Sequence, residues 1–195
     1  MSWAVRKTGA ATREDLDGLP DGVRGEILDG EVIVSPRPLA RSGRAQAGIG
    51  RFVGGPFDFD PGGPGGWWIV VEPEVELSRH QVFVPDLAGW RRTTLPSLPS
   101  SRPLSVRPDW ACEILSPSTE RFDRVRKADV YLESGVGHYW LVDVERRVLE
   151  AWEAAAGRWS RFGAFGDGDI ACIAPFDAVE IDVGRLFPPE PPAAG

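Results

Sequence analysis

The stretch from residue 107 to residue 147 constrains the fold more than any other. RPDWACEILS, residues 107–116, is a short apolar strand with one acid, Glu113, in its middle. SPST then starts an amphipathic helix over about residues 119–134, closed by Gly135, and HYWLVDVERR, residues 138–147, is a second apolar strand. A strand–SPST–helix unit lays its helix back over the sheet. Side chains alternate along a strand, so Glu113 shares a face with Ala111 and Leu115, opposite Trp110, Cys112 and Ile114. A carboxylate on a largely apolar face must be paired, protonated or bound to a cation.

The remaining elements are short. Thr12 is a good N-cap, with Asp15 at the capping-box spacing, and predicts a helix over residues 12–19. EILDGEVIV, residues 26–34, reads as a β-hairpin, because the central Asp29–Gly30 pair suits a two-residue turn in which both positions need positive φ. An arginine-rich helix is expected over residues 40–53, ending at Gly54–Gly55, then a flexible loop over residues 56–66. WWIVVEPEVELS (67–78) and HQVFVPDLAGW (80–90) read as consecutive antiparallel strands, and a proline-punctuated loop follows. Beyond residue 147, VLEAWEAA, RWSRFGAF, DIACIA and AVEIDV suggest a meander that closes or extends the sheet. The tail PPEPPAAG, residues 188–195, is expected to be disordered.

With 23 Gly and 18 Pro, the chain is too punctuated for a helical bundle, and its 8 Trp and 9 Phe can fill a core. One mixed α+β or α/β domain follows. The net charge of −7 argues against a dedicated nucleic-acid binder, so any such contact must be local. Cys112 and Cys172 each sit in an apolar stretch and read as buried free thiols, not as a disulfide framework or a zinc site. The N-terminus lacks the apolar region of a signal peptide and no run reaches membrane-spanning length, which makes the cytoplasm the default compartment and a membrane partner unexpected.

A second acid, Asp86, ends the apolar strand VFVPD. On the helix after Glu113, Asp123, Lys127 and Tyr131 fall at i, i+4 and i+8 and line one face, so Lys127 can project toward Glu113. Taken alone, those helix residues read first as a surface Asp123–Lys127 pair with a packing tyrosine; only the buried acid on the preceding strand favours the site reading. Two carboxylates and a lysine suit phosphodiester hydrolysis. Mg²⁺ takes oxygen ligands, commonly one or two carboxylates with waters and phosphate oxygens, and a lysine can orient water or offset charge in the transition state.

GEILDGEVIVSPRP, VPDLAGWRR and PDWACEILSPSTERFDRVRKADVYLESGVGHYWLVD together resemble the Uma2 family of restriction endonucleases, part of the PD-(D/E)XK phosphodiesterase superfamily. The resemblance spans roughly residues 12–187. It implies a restriction-endonuclease-like mixed sheet flanked by helices, with an N-terminal hairpin and a C-terminal antiparallel extension. It also implies Mg²⁺ or Mn²⁺ held by Asp86, Glu113 and the backbone carbonyl of Ile114, with DNA as substrate. The superfamily lysine stands two residues after the second acid, where this chain has Leu115, and Lys127 is the substitute the resemblance suggests. Glu26 matches another acidic position of the family; it reads either as part of the site or as a surface hairpin acid. Glu72, Glu74 and Glu76 share one strand face just before Asp86, and at least one of them, with Glu74 as the first candidate, is expected near the metal; alternation alone does not choose. Many relatives carry a histidine after the SPxP segment, where this chain has Ser42, Arg44 and Gln46.

A metal-dependent endonuclease is therefore the leading expectation. The alternatives are an inactive nuclease fold that binds nucleic acid or a protein partner, and a structural protein. A homodimer would suit cleavage of two strands, but nothing in the residues demands it. If the first expectation holds, Asp86 and Glu113 must face one cleft and not opposite sides of the sheet.

Overall fold

The hairpin over residues 26–34 forms where the Asp29–Gly30 pair requires it. In a computed structural model describing residues 10–20, 23–35 and 38–189, Asp29 has φ 53° and Gly30 φ 72°, and Leu28 pairs directly with Glu31 across the turn. The strands are β1 (Arg24–Leu28) and β2 (Glu31–Ser35). Before them, α1 (Arg13–Asp17) starts at Thr12, whose backbone N–H donates to Asp15 Oδ2 at 2.9 Å, as the capping-box spacing predicts.

The two strands expected at 67–78 and 80–90 are each broken in the middle, and the halves enter different sheets. β3 (Trp67–Val71) pairs with β6 (Leu87–Arg91), while β4 (Val75–Ser78) pairs with β5 (Gln81–Phe83). Pro73 and Pro85 fall at the break and cannot donate to a ladder, and Glu72 turns the chain there with φ 48°. The outer half of this long hairpin joins β1 and β2 in a four-stranded sheet of order β2-β1-β5-β4. The inner half joins the main sheet.

That main sheet has the order β10-β9-β8-β7-β6-β3, with β7 (Trp110–Leu115), β8 (His138–Asp143), β9 (Val148–Ala155) and β10 (Arg158–Gly166). β7 and β8 are parallel and all other neighbours antiparallel, so the sheet is mixed. Their crossover is a helical run, α3, made of Glu120–Phe122, the wider-wound Asp123–Lys127 and Ala128–Glu133. Gly135, at φ 80°, ends it as expected.

Alternation along β7 divides its residues between two cores. Trp110, Cys112 and Ile114 pack on one face with Val53, Phe57 and Phe176. Ala111 and Leu115 pack on the other with Leu28, Phe83 and Tyr131, beneath α3 and the four-stranded sheet. The first core is aromatic: the Trp110 and Trp140 rings lie 5.3 Å apart, edge to face, and Phe176 contacts both.

Helix α2 (Ala40–Ile49) does not stop at Gly54–Gly55; its turns continue as Gly50–Phe59, wound more widely. Pro56 has no N–H to give, and the run ends with Asp60 N–H bonded five residues back to Gly55 O at 2.8 Å. Burial of Val53 and Phe57 in the aromatic core holds these turns against their poor local propensity. β9 and β10 extend the sheet as expected. The two later segments do not: only β11 (Ile170–Ala171) and β12 (Ile181–Asp182) pair, as a separate ribbon. Cys112 is buried but Cys172 is exposed, because its segment runs past the sheet and not into it. Most of the proline-rich tail, residues 190–195, lies outside the described residues.

Gly89 is packed closely by three side chains of the main sheet. A Cβ there would sit 3.0 Å from Ile69 Cδ1, 3.1 Å from Trp110 Cε3 and 3.3 Å from Trp67 Cε3. Gly89→Val is expected to destabilise the protein by about 1–3 kcal/mol through overpacking, measured by urea unfolding.

Candidate active site

The fork in the hairpin creates the site. β6 pairs with β7 only as far as Leu87 opposite Cys112, so the end of β7 has no strand neighbour on that side. Asp86, just before β6, takes the empty place: its Oδ2 accepts the Ile114 N–H at 2.7 Å. The N–H and C=O of one strand residue point the same way, so the Ile114 carbonyl also faces the Asp86 side. Gln46 of α2 donates to the Asp86 carbonyl oxygen at 2.9 Å and fixes the backbone there.

Glu113 is buried on the face of β7 that lies under α3. Lys127 Nζ lies 3.0 Å from Glu113 Oε1, 2.9 Å from Glu26 Oε1 and 3.8 Å from Asp123 Oδ1, and the Tyr131 hydroxyl donates to the same Glu113 oxygen. Glu26, on β1, is 1% exposed and accepts the Val84 N–H at 2.7 Å, so it is no surface hairpin acid. The i, i+4, i+8 spacing of Asp123, Lys127 and Tyr131 therefore does aim the helix face at Glu113.

Asp86, Glu113, Ile114, Lys127 and Glu26 all line one cleft of about 330 Å³. Sequence reasoning missed Arg24, which shares that cleft and donates from Nη1 to Asp86 Oδ1 at 3.0 Å. A signal for it exists: Arg24 stands two residues before Glu26 on one strand and so shares its face. Ser42 and Gln46 also line the cleft, which places two of the residues after the SPxP segment at the site. Glu74 is not there. Its Oε1 is held by Arg13 Nε at 2.6 Å, whereas Glu72 Oε1 lies 3.8 Å from Arg24 Nη1. The break at Pro73 brings Glu72, not Glu74, toward the cleft.

Charge in the cleft does not balance. Among the described residues that line it, Glu26, Asp86, Glu113 and Asp123 face only Arg24 and Lys127, an excess of two negative charges when every group is ionised. Burial pushes the Glu113 carboxyl up to about 8; Lys127 opposes this, and Asp86, Asp123 and Glu26 add to it. Asp123 is pushed up to about 7, again by burial, with Lys127 and a Thr119 hydrogen bond opposing. Burial alone would lower the pKa of Lys127, but Glu113 and Glu26 outweigh it and hold the ammonium charged.

These shifts have a sign that can be measured. Glu113 and Asp123 bind protons more tightly folded than unfolded, so their contribution to stability is full at low pH and disappears as pH rises through the folded values. Without metal, the melting temperature is expected to fall between about pH 5 and pH 8, and Glu113→Gln should flatten the profile. A profile that rises over that window would exclude this protonation pattern.

The family model Uma2, described as "Putative restriction endonuclease", matches residues 13–184. The chain belongs to the Uma2 family. No curated protein matches this Uma2 chain. Among solved structures it is similar to the crystal structure of a "putative nuclease belonging to DUF820" from Anabaena variabilis. The two share 18% identity with a TM-score of 0.65, over 90% of this chain and 98% of the other, a likeness of fold. In this Uma2 protein Leu115 is buried in the core beneath α3, and the cation beside Glu113 comes from α3 itself. Among the described residues no helix is long and apolar enough to cross a membrane.

Proposed function

We propose that this Uma2 protein is a nuclease that hydrolyses phosphodiester bonds in DNA and depends on a divalent metal, Mg²⁺ or Mn²⁺. The observation that carries this reading is the surplus of carboxylates over cations in the cleft, where Asp86, Glu113 and the end of a strand line one wall beside a fully engaged lysine and a bound cation would take the place of protons. The Asp86 and Glu113 carboxylates and the Ile114 carbonyl are hard oxygen donors, the chemistry that Mg²⁺ accepts. Among the described residues no three His, Cys, Asp or Glu are grouped to hold a metal ion, so an ion here would have to take waters or phosphate oxygens as further ligands. When bound, such an ion polarises a phosphate and lowers the pKa of its water.

The chain's own residues do the rest. Lys127 favours the ionised form of Glu113, and the Tyr131 hydroxyl fixes the orientation of that carboxylate. Glu26 and Asp123 hold Lys127 from two sides. The Ile114 N–H and Arg24 orient Asp86. A homodimer would bring one such cleft to each strand of a duplex.

A second reading, an inactive nuclease fold that binds nucleic acid or a protein, draws on the net charge of −7 and on Leu115 in place of a lysine. One assay separates the two. Purified protein is incubated with plasmid, single-stranded DNA and RNA, with Mg²⁺, Mn²⁺ or EDTA. Metal-dependent cleavage of DNA is expected; its absence on every substrate would overturn the nuclease reading.

A further inference from the structure

Among the described residues the cleft holds two cations, and only one is placed to meet a ligand. Lys127 is 2% exposed and surrounded by Glu26, Glu113 and Asp123. An ammonium has three donors, and three carboxylates ring this one. Arg24 is different. Its side chain is 22% exposed, and its contacts with described residues run through Nη1, to Asp86 Oδ1 at 3.0 Å and Glu72 Oε1 at 3.8 Å. Its Nε is buried with no hydrogen-bond partner among those residues.

The guanidinium is planar and carries five N–H donors, so it can hold Asp86 through Nη1 and still offer a donor to a phosphate oxygen. Beyond Arg24 and Lys127, the described polar lining of the cleft includes the hydroxyls of Ser35, Ser42, Ser116, Ser118 and Thr119, and no further cation. A substrate phosphate entering this cleft therefore finds Arg24 as the accessible positive charge of its described wall.

Building on the nuclease reading, we propose that Arg24 is the phosphate-contacting residue of the site. It meets a non-bridging oxygen of the substrate backbone through the exposed part of its guanidinium while Nη1 remains on Asp86. Lys127, at the superfamily lysine's place in the chemistry, stays internal and acts on Glu113.

The test compares wild type, Arg24→Gln and Arg24→Lys, each checked by its melting temperature. Binding of a labelled duplex and of its single strand is followed by fluorescence anisotropy over a range of salt, with Ca²⁺ replacing Mg²⁺, and cleavage is measured in Mg²⁺. In Arg24→Gln the slope of log affinity against log salt is expected to shrink by about 0.9 on duplex or about 0.7 on single strand, one phosphate contact. Arg24→Lys should retain the slope, because its charge is kept, yet lose at least about tenfold in kcat/KM, because a point charge does not reproduce the fork. An unchanged slope in Arg24→Gln, with wild type still binding and cutting, overturns the role of Arg24 and leaves the nuclease reading standing. Wild type that neither binds nor cuts overturns both. Should Arg24→Gln fail to fold, Arg24→Lys decides: full cleavage at wild-type stability refutes the proposal, and lost cleavage with the slope retained upholds it.

Discussion

Replacing Asp86 with asparagine is expected to reduce metal-dependent DNA cleavage by more than about 10²-fold while leaving the fold intact. The asparagine amide keeps an oxygen that can accept the Ile114 N–H, the bond that now reaches Asp86 Oδ2 at 2.7 Å. What the substitution removes is the negative charge, and with it both the ion pair to Arg24 and a hard donor for a cation. Losing a charge-assisted bond that is 16% exposed on the Asp86 side should cost about 1–3 kcal/mol, a drop of a few degrees in melting temperature. Activity and stability thus separate by orders of magnitude. Glu74→Gln is the matched control, because Glu74 is bound to Arg13 away from the cleft, and it should cut at close to the wild-type rate. Cleavage that survives Asp86→Asn would remove Asp86 from the chemistry.

Lys127→Met is expected to be the most destabilising substitution at the site. Removing one partner of a buried ion pair costs about 3–5 kcal/mol, since the remaining charges are stranded away from water. Three carboxylates surround Lys127, and Glu26, Glu113 and Asp123 would all have to ionise without it or take up protons. For a chain of this size the melting temperature should fall by roughly 10 °C. The sign with pH follows from the same residues. Protonated carboxylates do not need the lysine, so the loss should be smaller near pH 5 and larger near pH 8. A variant as stable as wild type at high pH would contradict the charge network. Lys127→Arg is not a rescue: the guanidinium is larger than the ammonium it replaces, and the site is only 2% exposed.

Much of the site was legible because it is local. Glu113 stands out as an acid in an apolar strand, and period-two alternation assigns it to the Ala111–Leu115 face where the structure puts it. The spacing of Asp123, Lys127 and Tyr131 selects one helix face, and that face meets Glu113. The Asp29–Gly30 turn fixes the first hairpin by backbone conformation alone. In each case the determinant lies within a few residues, where helix and strand geometry act.

The rest depended on partners distant in sequence. Nothing in residues 67–91 says that a hairpin interrupted by two prolines will send its halves into different sheets. That fork leaves the end of β7 open to Asp86, and it puts Glu72 rather than Glu74 near the site. Glu26 reads equally as a surface acid until β5 and α3 close over it, and Arg24 is an ordinary strand arginine until Asp86 arrives from residues far along the chain. Likewise, Pro56 and the neighbouring glycines argue against the helical turns that Phe57 stabilises by burial in the aromatic core. Which face Glu113 and Lys127 each take follows from backbone periodicity, and the residues alone are enough to read it. What covers those faces was settled by the fold, because burial, and the charge pairing it forces, comes from contacts between segments that local geometry does not relate.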